Sequence, residues 1–217
     1  TRPDPHDPFK VEQYKRCMKA ADDEIYIIPT VGSIYEYTVR GIGDTNVLLY
    51  SYTDPSFIEQ VFKDSAYYTS ELGKAFIDEG AEAVFIFEDY AYKHGPFMSP
   101  KLWRRFVFPR LKETVETFHK RGAFCLVHSC GNFIPLLDMI IEAGVDGVHS
   151  LEPAAGIDLA KVKAEFGDRI CLIGNVDIST LLPFGSQDEV ARTVKWTINV
   201  GSWGEDIYYQ LAARPLI

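Results

Sequence analysis

The residues best suited to chemistry stand directly after short apolar runs. They are Glu88 and Asp89 after run 83–87, His128 and Cys130 after run 123–127, Glu152 after run 145–149, and Asn175 and Asp177 after run 170–173. These side chains offer carboxylates, an imidazole, a thiol and an amide. Four such groups in succession predict one shared site, with helix capping as the alternative for Asp177.

His128 and Cys130 form the most specific pattern in the chain. In an extended segment, residues i and i+2 point to the same side, so the imidazole and the thiol could converge on one ion. Both are good Zn²⁺ ligands, and a catalytic zinc takes three protein ligands and leaves one position open. Zinc would acidify a bound thiol or water and so make a nucleophile at neutral pH. The alternative is an ordinary histidine beside a buried cysteine.

A third zinc ligand must come from another part of the chain. The candidates are Glu88, Asp89 and Glu152, with His94 and His149 in reserve. His149 also fits a satisfied histidine inside a strand, because buried polar groups normally find a hydrogen-bond partner. The pattern therefore predicts a metal site at His128 and Cys130 and leaves its third ligand open.

Two tyrosines follow the acidic pair and are candidates for substrate binding. Tyr90 and Tyr92 could line a pocket, since aromatic walls with a few polar groups suit a flat ligand. Ordinary packing of a long loop is the alternative for both.

Strands and helices that alternate along the chain must position these residues. Apolar runs rich in β-forming residues predict roughly six strands, at 25–29, 83–87, 123–127, 145–149, 170–173 and 207–211. Helical spacing and cap residues predict helices over 9–21, 34–42, 55–79, 99–121, 132–142, 158–166 and 187–200. This alternation is typical of an α/β fold with a parallel sheet. The polar residues then lie at the C-terminal strand ends, where a TIM barrel builds its active site.

Composition excludes several classes of protein. The chain has 217 residues, of which 47% are hydrophobic, which fits one domain. Its net charge of -9 argues against a nucleic-acid partner. No apolar run approaches the about 20 residues of a membrane span, and the polar segment 1–8 does not resemble a signal peptide. The 4 cysteines form no CxxC, so we expect a reducing, cytoplasmic location.

Four segments together resemble the uroporphyrinogen-decarboxylase-like superfamily, in order and in spacing. They are 88–100 (EDYAYKHGPFMSP), 128–132 (HSCGN), 142–147 (EAGVDG) and 167–177 (GDRICLIGNVD). The resemblance implies a (β/α)8 TIM barrel with its cleft at the C-terminal strand ends. The chain is shorter than family members, so we expect one partial barrel domain over 1–217 that is incomplete at the N-terminus.

Within that superfamily the chain is nearer to the methylcobamide:coenzyme M methyltransferases, whose zinc ligands include a His-x-Cys pair that maps onto His128 and Cys130. The resemblance implies a zinc-assisted enzyme that moves a methyl group between a corrinoid or another methyl donor and a thiol. The assigned roles are catalytic for Asp89, Glu88 and Asp177, substrate-binding for Tyr90, Tyr92, Asn175 and Glu152, and metal-binding for His128 and Cys130. The expected partners are a small-molecule substrate, a corrinoid protein and a second copy of the chain in a homodimer, without nucleic acid or membrane.

Two alternatives remain open at this point. One is a cofactor-free uroporphyrinogen decarboxylase with Asp89 or Asp177 near the pyrrole nitrogens. The other is an inactive barrel fragment that binds a tetrapyrrole or corrinoid. The methyltransferases add a further cysteine at the last strand, but segment 204–211 of this chain has none.

Overall fold

The structure, a computed structural model, describes residues 4–22 and 24–202. Its strands are β1 (Thr30–Val31), β2 (Ala83–Phe87), β3 (Ala91–Tyr92), β4 (Gly95–Pro96), β5 (Phe124–His128), β6 (Gly147–His149) and β7 (Cys171–Ile173). Five of them form one parallel sheet in the order β1-β2-β5-β6-β7, and β3 and β4 form an antiparallel hairpin. This is the arrangement of consecutive barrel strands, although β1 and β7 do not pair and the barrel is not closed over the described residues.

Helices connect the strands. They are α1 (Pro8–Ala21), α2 (Tyr35–Ile42), α3 (Asp44–Thr53), α4 (Pro55–Asp78), α5 (Pro100–Phe106), α6 (Phe108–His119), α7 (Leu137–Glu142), α8 (Leu159–Phe166), α9 (Leu181–Phe184) and α10 (Gln187–Gly201), with 3₁₀ turns at Ile134–Leu136 and Pro153–Ala155. The predicted starts at Asp54, Ser99 and Asp158 are confirmed, since each side chain accepts backbone N–H groups of the following turn. No helix among the described residues is long and apolar enough to cross a membrane.

Several predicted boundaries were wrong. The single helix predicted over 99–121 breaks at Val107, because Pro109 has no N–H for a helical bond and its ring crowds the preceding turn. The first strand lies at Thr30–Val31 rather than at 25–29, whose residues Ile25 and Tyr26 are exposed. The helix predicted from 132 begins as a 3₁₀ turn, α3 and the β3–β4 hairpin were not predicted, and the strand predicted at 207–211 lies outside the described residues.

The two faces of the sheet have different roles. Alternate residues of β2 and β5, including Val84, Ile86, Cys125 and Val127, belong to the hydrophobic core, and α4 and α6 pack against these strands. The intervening residues, Phe85, Phe87, Leu126 and His128, lie outside that core cluster on the opposite face. The face that carries His128 is therefore the one turned towards the interior of the barrel.

Candidate metal centre

Asp89, His128 and Cys130 converge at the C-terminal ends of β2 and β5. One ligand atom from each lies within 4.8 Å of the other two. The Cys130 Sγ is 3.3 Å from His128 Nε2, which is 3.8 Å from Asp89 Oδ1. The structure thus brings together the predicted His-x-Cys pair and one of the three carboxylates proposed as third ligand.

Backbone hydrogen bonds hold the loop that carries Cys130. The Asp89 Oδ1 accepts the Cys130 N–H at 2.8 Å, and Glu152 Oε2 accepts the Gly131 N–H at 2.9 Å. The Ser129 N–H donates to the His149 carbonyl at 2.7 Å. The carboxylates that follow β2 and β6, the two strands on either side of β5, therefore fix this loop. Glu152 contributes to the site by holding the backbone of Gly131.

Gly131 is required by both the conformation and the packing of this loop. Its φ is +71°, and an added Cβ would lie 2.6 Å from the Ala91 carbonyl oxygen. We expect Gly131→Ala to destabilise the protein by about 1–3 kcal/mol and to weaken metal binding, since a residue with a Cβ is strained at this φ. Urea unfolding and a zinc titration measure the two effects. The matched control is Gly122→Ala, whose φ is +82° but whose Cβ would meet nothing within 4 Å; equal effects at both sites would refute a packing role for Gly131.

The ring of His128 is fixed on two sides. Phe87 stacks on it with centroids 4.4 Å apart, and the Nδ1 atoms of His128 and His149 are 2.7 Å apart. Burial lowers the pKa of His128, although the Asp89 carboxylate opposes that shift. The imidazole is therefore neutral at pH 7, as a metal ligand must be.

The Cys130 thiol is protonated at neutral pH in the metal-free protein. Cys130 is exposed at the surface, but partial desolvation of its thiol raises the pKa to about 11, and the nearby Asp89 carboxylate adds to this shift. A bound cation would reverse the effect, because coordination to a metal deprotonates a thiol. The carboxylates of Asp89, Glu152 and Glu36 all act to raise this pKa, and the same negative charges favour a cation at the site.

Glu88 has a different role from its neighbour Asp89. Its carboxylate is fully buried and accepts the backbone N–H groups of Ile34, Tyr35 and Glu36, at the start of α2. Burial raises its pKa to about 8, although these three hydrogen bonds favour the charged form. It is not among the described residues whose ligand atoms converge with those of His128 and Cys130.

Tyr90 and Tyr92, the two tyrosines predicted to bind substrate, lie in different environments. Tyr90 is buried against Trp103, with ring centroids 5.4 Å apart, and its hydroxyl has no hydrogen-bond partner among the described residues. Tyr92 is half-exposed, and its ring contacts those of His94 and Phe97.

The side chains of the two predicted residues that follow β7 both make hydrogen bonds within the protein. Asn175 is buried, and its amide donates to the Leu151 carbonyl at 2.8 Å. The Asp177 carboxylate is exposed and accepts hydrogen bonds from Ser179 and Thr180, and the Thr180 hydroxyl lowers its pKa most. Asp177 therefore stabilises the turn before α9, whose N-cap residue is Thr180 rather than Asp177. Asp177 is also outside the metal grouping of the described residues.

Glu36 and Phe87 were not predicted from the sequence. Both line a cavity of about 470 Å³ that also touches Tyr14, Tyr37 and Arg40, which is the size of a small-molecule site. The Glu36 charge contributes to the pKa shifts of His128 and Cys130. Glu36 lies in the first turn of α2, the helix that follows β1, and an acid at that position was the sequence signal that could have placed it at the same rim.

Comparisons with known proteins agree with this architecture. The family model described as uroporphyrinogen decarboxylase (URO-D) matches residues 2–208. Uroporphyrinogen decarboxylases from Chlorobium phaeovibrioides and Chlorobium luteolum are each 26% identical, over 87% and 84% of this chain and 54% and 51% of their own length. A methyltransferase from Methanosarcina mazei has a similar fold, with a TM-score of 0.77 and 24% identity over 89% of this chain and 56% of that one.

The chain spans about half the length of the curated relatives that it matches. The likeness to the Methanosarcina mazei structure supports the fold, a TIM barrel whose ring of strands is not closed over the described residues. The family model covers nearly all of the sequence, including every residue of the candidate metal centre. The chain therefore belongs to the uroporphyrinogen decarboxylase (URO-D) family.

Proposed function

We propose that this member of the family is a zinc-assisted methyltransferase that moves a methyl group between a corrinoid, or another methyl donor, and a thiol. The convergence of Asp89, His128 and Cys130 at the barrel rim is the observation that carries this proposal. A site that performs acid–base chemistry without a cofactor would have no need of a thiol beside an imidazole.

The donor set fits zinc. A thiol, an imidazole nitrogen and a carboxylate oxygen are the three kinds of protein ligand that zinc takes, and three such ligands leave one position open for a substrate. Bound here, zinc would lower the pKa of a thiol substrate and make it a nucleophile at neutral pH.

The protein's own residues would hold and orient the reactants. His128 offers a neutral Nε2, and Asp89 holds both the Cys130 backbone and one side of the site. The cavity lined by Glu36 and Phe87 would take the small-molecule substrate. None of the three proposed ligands lines it, and Phe87, whose ring stacks on His128, connects it to the metal centre. Several assignments stay predictions: substrate binding by Tyr90, Tyr92, Asn175 and Glu152, and catalysis by Asp89, Glu88 and Asp177. A corrinoid protein or a homodimer as partner, and a single domain over 1–217, also stay predictions.

A methyl-transfer assay tests the proposal. With zinc present, we expect methylcobalamin and a small thiol to give the thioether and cob(I)alamin, as the methyl group leaves cobalt without its bonding electron pair. His128→Asn should lower the rate by at least about 100-fold, as expected for loss of a group that activates the nucleophile. The matched control is His6→Asn, since His6 is an exposed histidine outside the metal grouping. Zinc-dependent turnover that survives His128→Asn would contradict the proposal.

Porphyrinogen decarboxylation is the second candidate, because the curated relatives bear that name. It requires no metal and would use Asp89 near the pyrrole nitrogens. If it is correct, Asp89→Asn removes carbon dioxide release from uroporphyrinogen while Cys130→Ser keeps it. Binding of a tetrapyrrole or corrinoid without turnover in either assay would instead identify an inactive fragment.

A further inference from the structure

His149 lies beside the metal centre without belonging to it. Its Nδ1 is 2.7 Å from the Nδ1 of His128, and the two residues are paired in the register of β5 and β6. It is not among the described residues whose ligand atoms converge with those of Asp89 and Cys130. Its ring therefore contacts the side of the His128 imidazole that points away from Asp89 and Cys130.

The short distance between the two nitrogens requires one proton between them. A neutral imidazole carries its single proton on one nitrogen and a lone pair on the other. Two lone pairs at 2.7 Å would repel each other, so one Nδ1 donates and the other accepts.

The second nitrogen of His128 decides which ring is the donor. His128 Nε2 faces Cys130 Sγ at 3.3 Å and Asp89 Oδ1 at 3.8 Å, the two other atoms of the proposed metal site. A metal ligand at Nε2 must present its lone pair there, which places the His128 proton on Nδ1. His149 Nδ1 is then the acceptor, and His149 carries its own proton on Nε2.

Aromatic contacts fix the planes of both rings. Phe87 stacks on His128 at an interplanar angle of 14°, and Phe85 contacts the His149 ring at a centroid distance of 5.9 Å. Both phenylalanines belong to β2, and Phe87 is the register partner of His128. The row Phe87–His128–His149 across three strands is therefore built as one unit.

We infer that His149 is a positioning residue, which accepts the Nδ1 proton of His128 and so holds its Nε2 lone pair towards the metal site. This inference rests on the proposed function, because it assumes that His128 binds zinc. The partner of a metal-bound histidine is usually a carboxylate or a carbonyl, and its loss typically costs about 10–100-fold in metal affinity. Here a second imidazole takes that place.

Two variants of His149 separate positioning from simple packing. His149→Phe keeps a ring of similar size but removes the acceptor, whereas His149→Asn places an amide oxygen about where Nδ1 lies. Competition with a chromogenic chelator should show zinc affinity reduced by about 10–100-fold in His149→Phe and largely restored in His149→Asn. Unfolding of the metal-free proteins in urea checks that both variants are folded. Equal zinc affinity in His149→Phe and wild type would overturn the inference.

Nitrogen NMR of wild-type protein with labelled histidine tests the same inference without any variant or metal. We expect the metal-free His128 to be protonated at Nδ1 and His149 at Nε2. The reverse assignment would overturn the inference even if zinc binds. Absence of zinc binding in the wild type would contradict both the proposed function and this inference, whereas the reverse tautomers in a protein that binds zinc would contradict the inference alone.

Discussion

Cys130→Ser will remove zinc from the protein. Wild-type protein purified without a metal-affinity tag should hold zinc in near-stoichiometric amount, because Cys130 Sγ, His128 Nε2 and an Asp89 oxygen lie within reach of one ion. Serine keeps the size of the side chain but supplies no thiolate, which is one of the ligand types that zinc takes in proteins. The loss in affinity should exceed the about 10–100-fold that follows removal of an outer partner. Elemental analysis measures the zinc content of each protein directly.

Cys17→Ser is the matched control for this experiment. Cys17 is also an exposed free cysteine, but it lies on α1 and outside the metal grouping. This variant should keep the zinc content of the wild type. An equal zinc content in Cys130→Ser, or no metal in any of the three proteins, would contradict the proposed centre.

Glu88→Gln will change the stability of the protein and the way that stability depends on pH. Below about pH 5 we expect the variant to be less stable by about 1–3 kcal/mol, because its amide NH₂ group meets backbone donors that need an acceptor. Those donors are the N–H groups at the start of α2, each of which reaches a side-chain oxygen of Glu88 in the wild type. Chemical denaturation at a series of pH values measures the difference.

The advantage of the wild type should shrink as the pH rises and reverse before about pH 8, because the loss over about three pH units exceeds about 3 kcal/mol. The pKa of Glu88 is about 8 in the folded protein because the group is buried, whereas a glutamate in an unfolded chain has a pKa of about 4.3. The folded state therefore binds the extra proton, and the stabilisation present below the unfolded pKa is lost as the pH rises through the folded pKa. The slope is up to about 1.4 kcal/mol per pH unit between about pH 5 and about pH 8.

The variant has no titrating group at position 88, so the difference between the two proteins isolates this effect from that of every other group. Glu165→Gln, at an exposed position of α8, is the matched control and should leave the curve of the wild type unchanged. Parallel stability curves for wild type and Glu88→Gln would show that the buried carboxyl does not bind the extra proton.

Local signals predicted the elements that have caps and breakers in the sequence. Asp54 followed by Pro55 gave the start of α4, and Asp158 gave the start of α8. The His128 and Cys130 pair was predictable because the backbone stays extended at the end of β5, so that i and i+2 face one side. These features depend only on neighbours along the chain.

Contacts between distant residues could not be predicted in this way. Glu88 and Asp89 are adjacent acids with different roles: Glu88 caps α2, and Asp89 joins the metal grouping. The difference depends on where α2 lies, and its residue Tyr35 is 53 residues away from Glu88 in the sequence. The 2.7 Å contact of His128 with His149 depends on the register of β5 and β6, which no local pattern sets. The break at Val107 was missed although Pro109 was visible, because the helical spacing of the apolar residues continues through it.

Alternate side chains of β5 face opposite sides of the sheet, and the two sides place different requirements on their residues. Cys125 and Val127 face the helices, where volume and shape restrict the choice of residue, while His128 faces the site, where its nitrogen atoms do. The same division holds in β2 between Ile86 and Phe87. A lineage that acquires a new reaction on this scaffold can therefore replace the inward residues without repacking the layer behind them, which gives one polypeptide design access to unrelated chemistries.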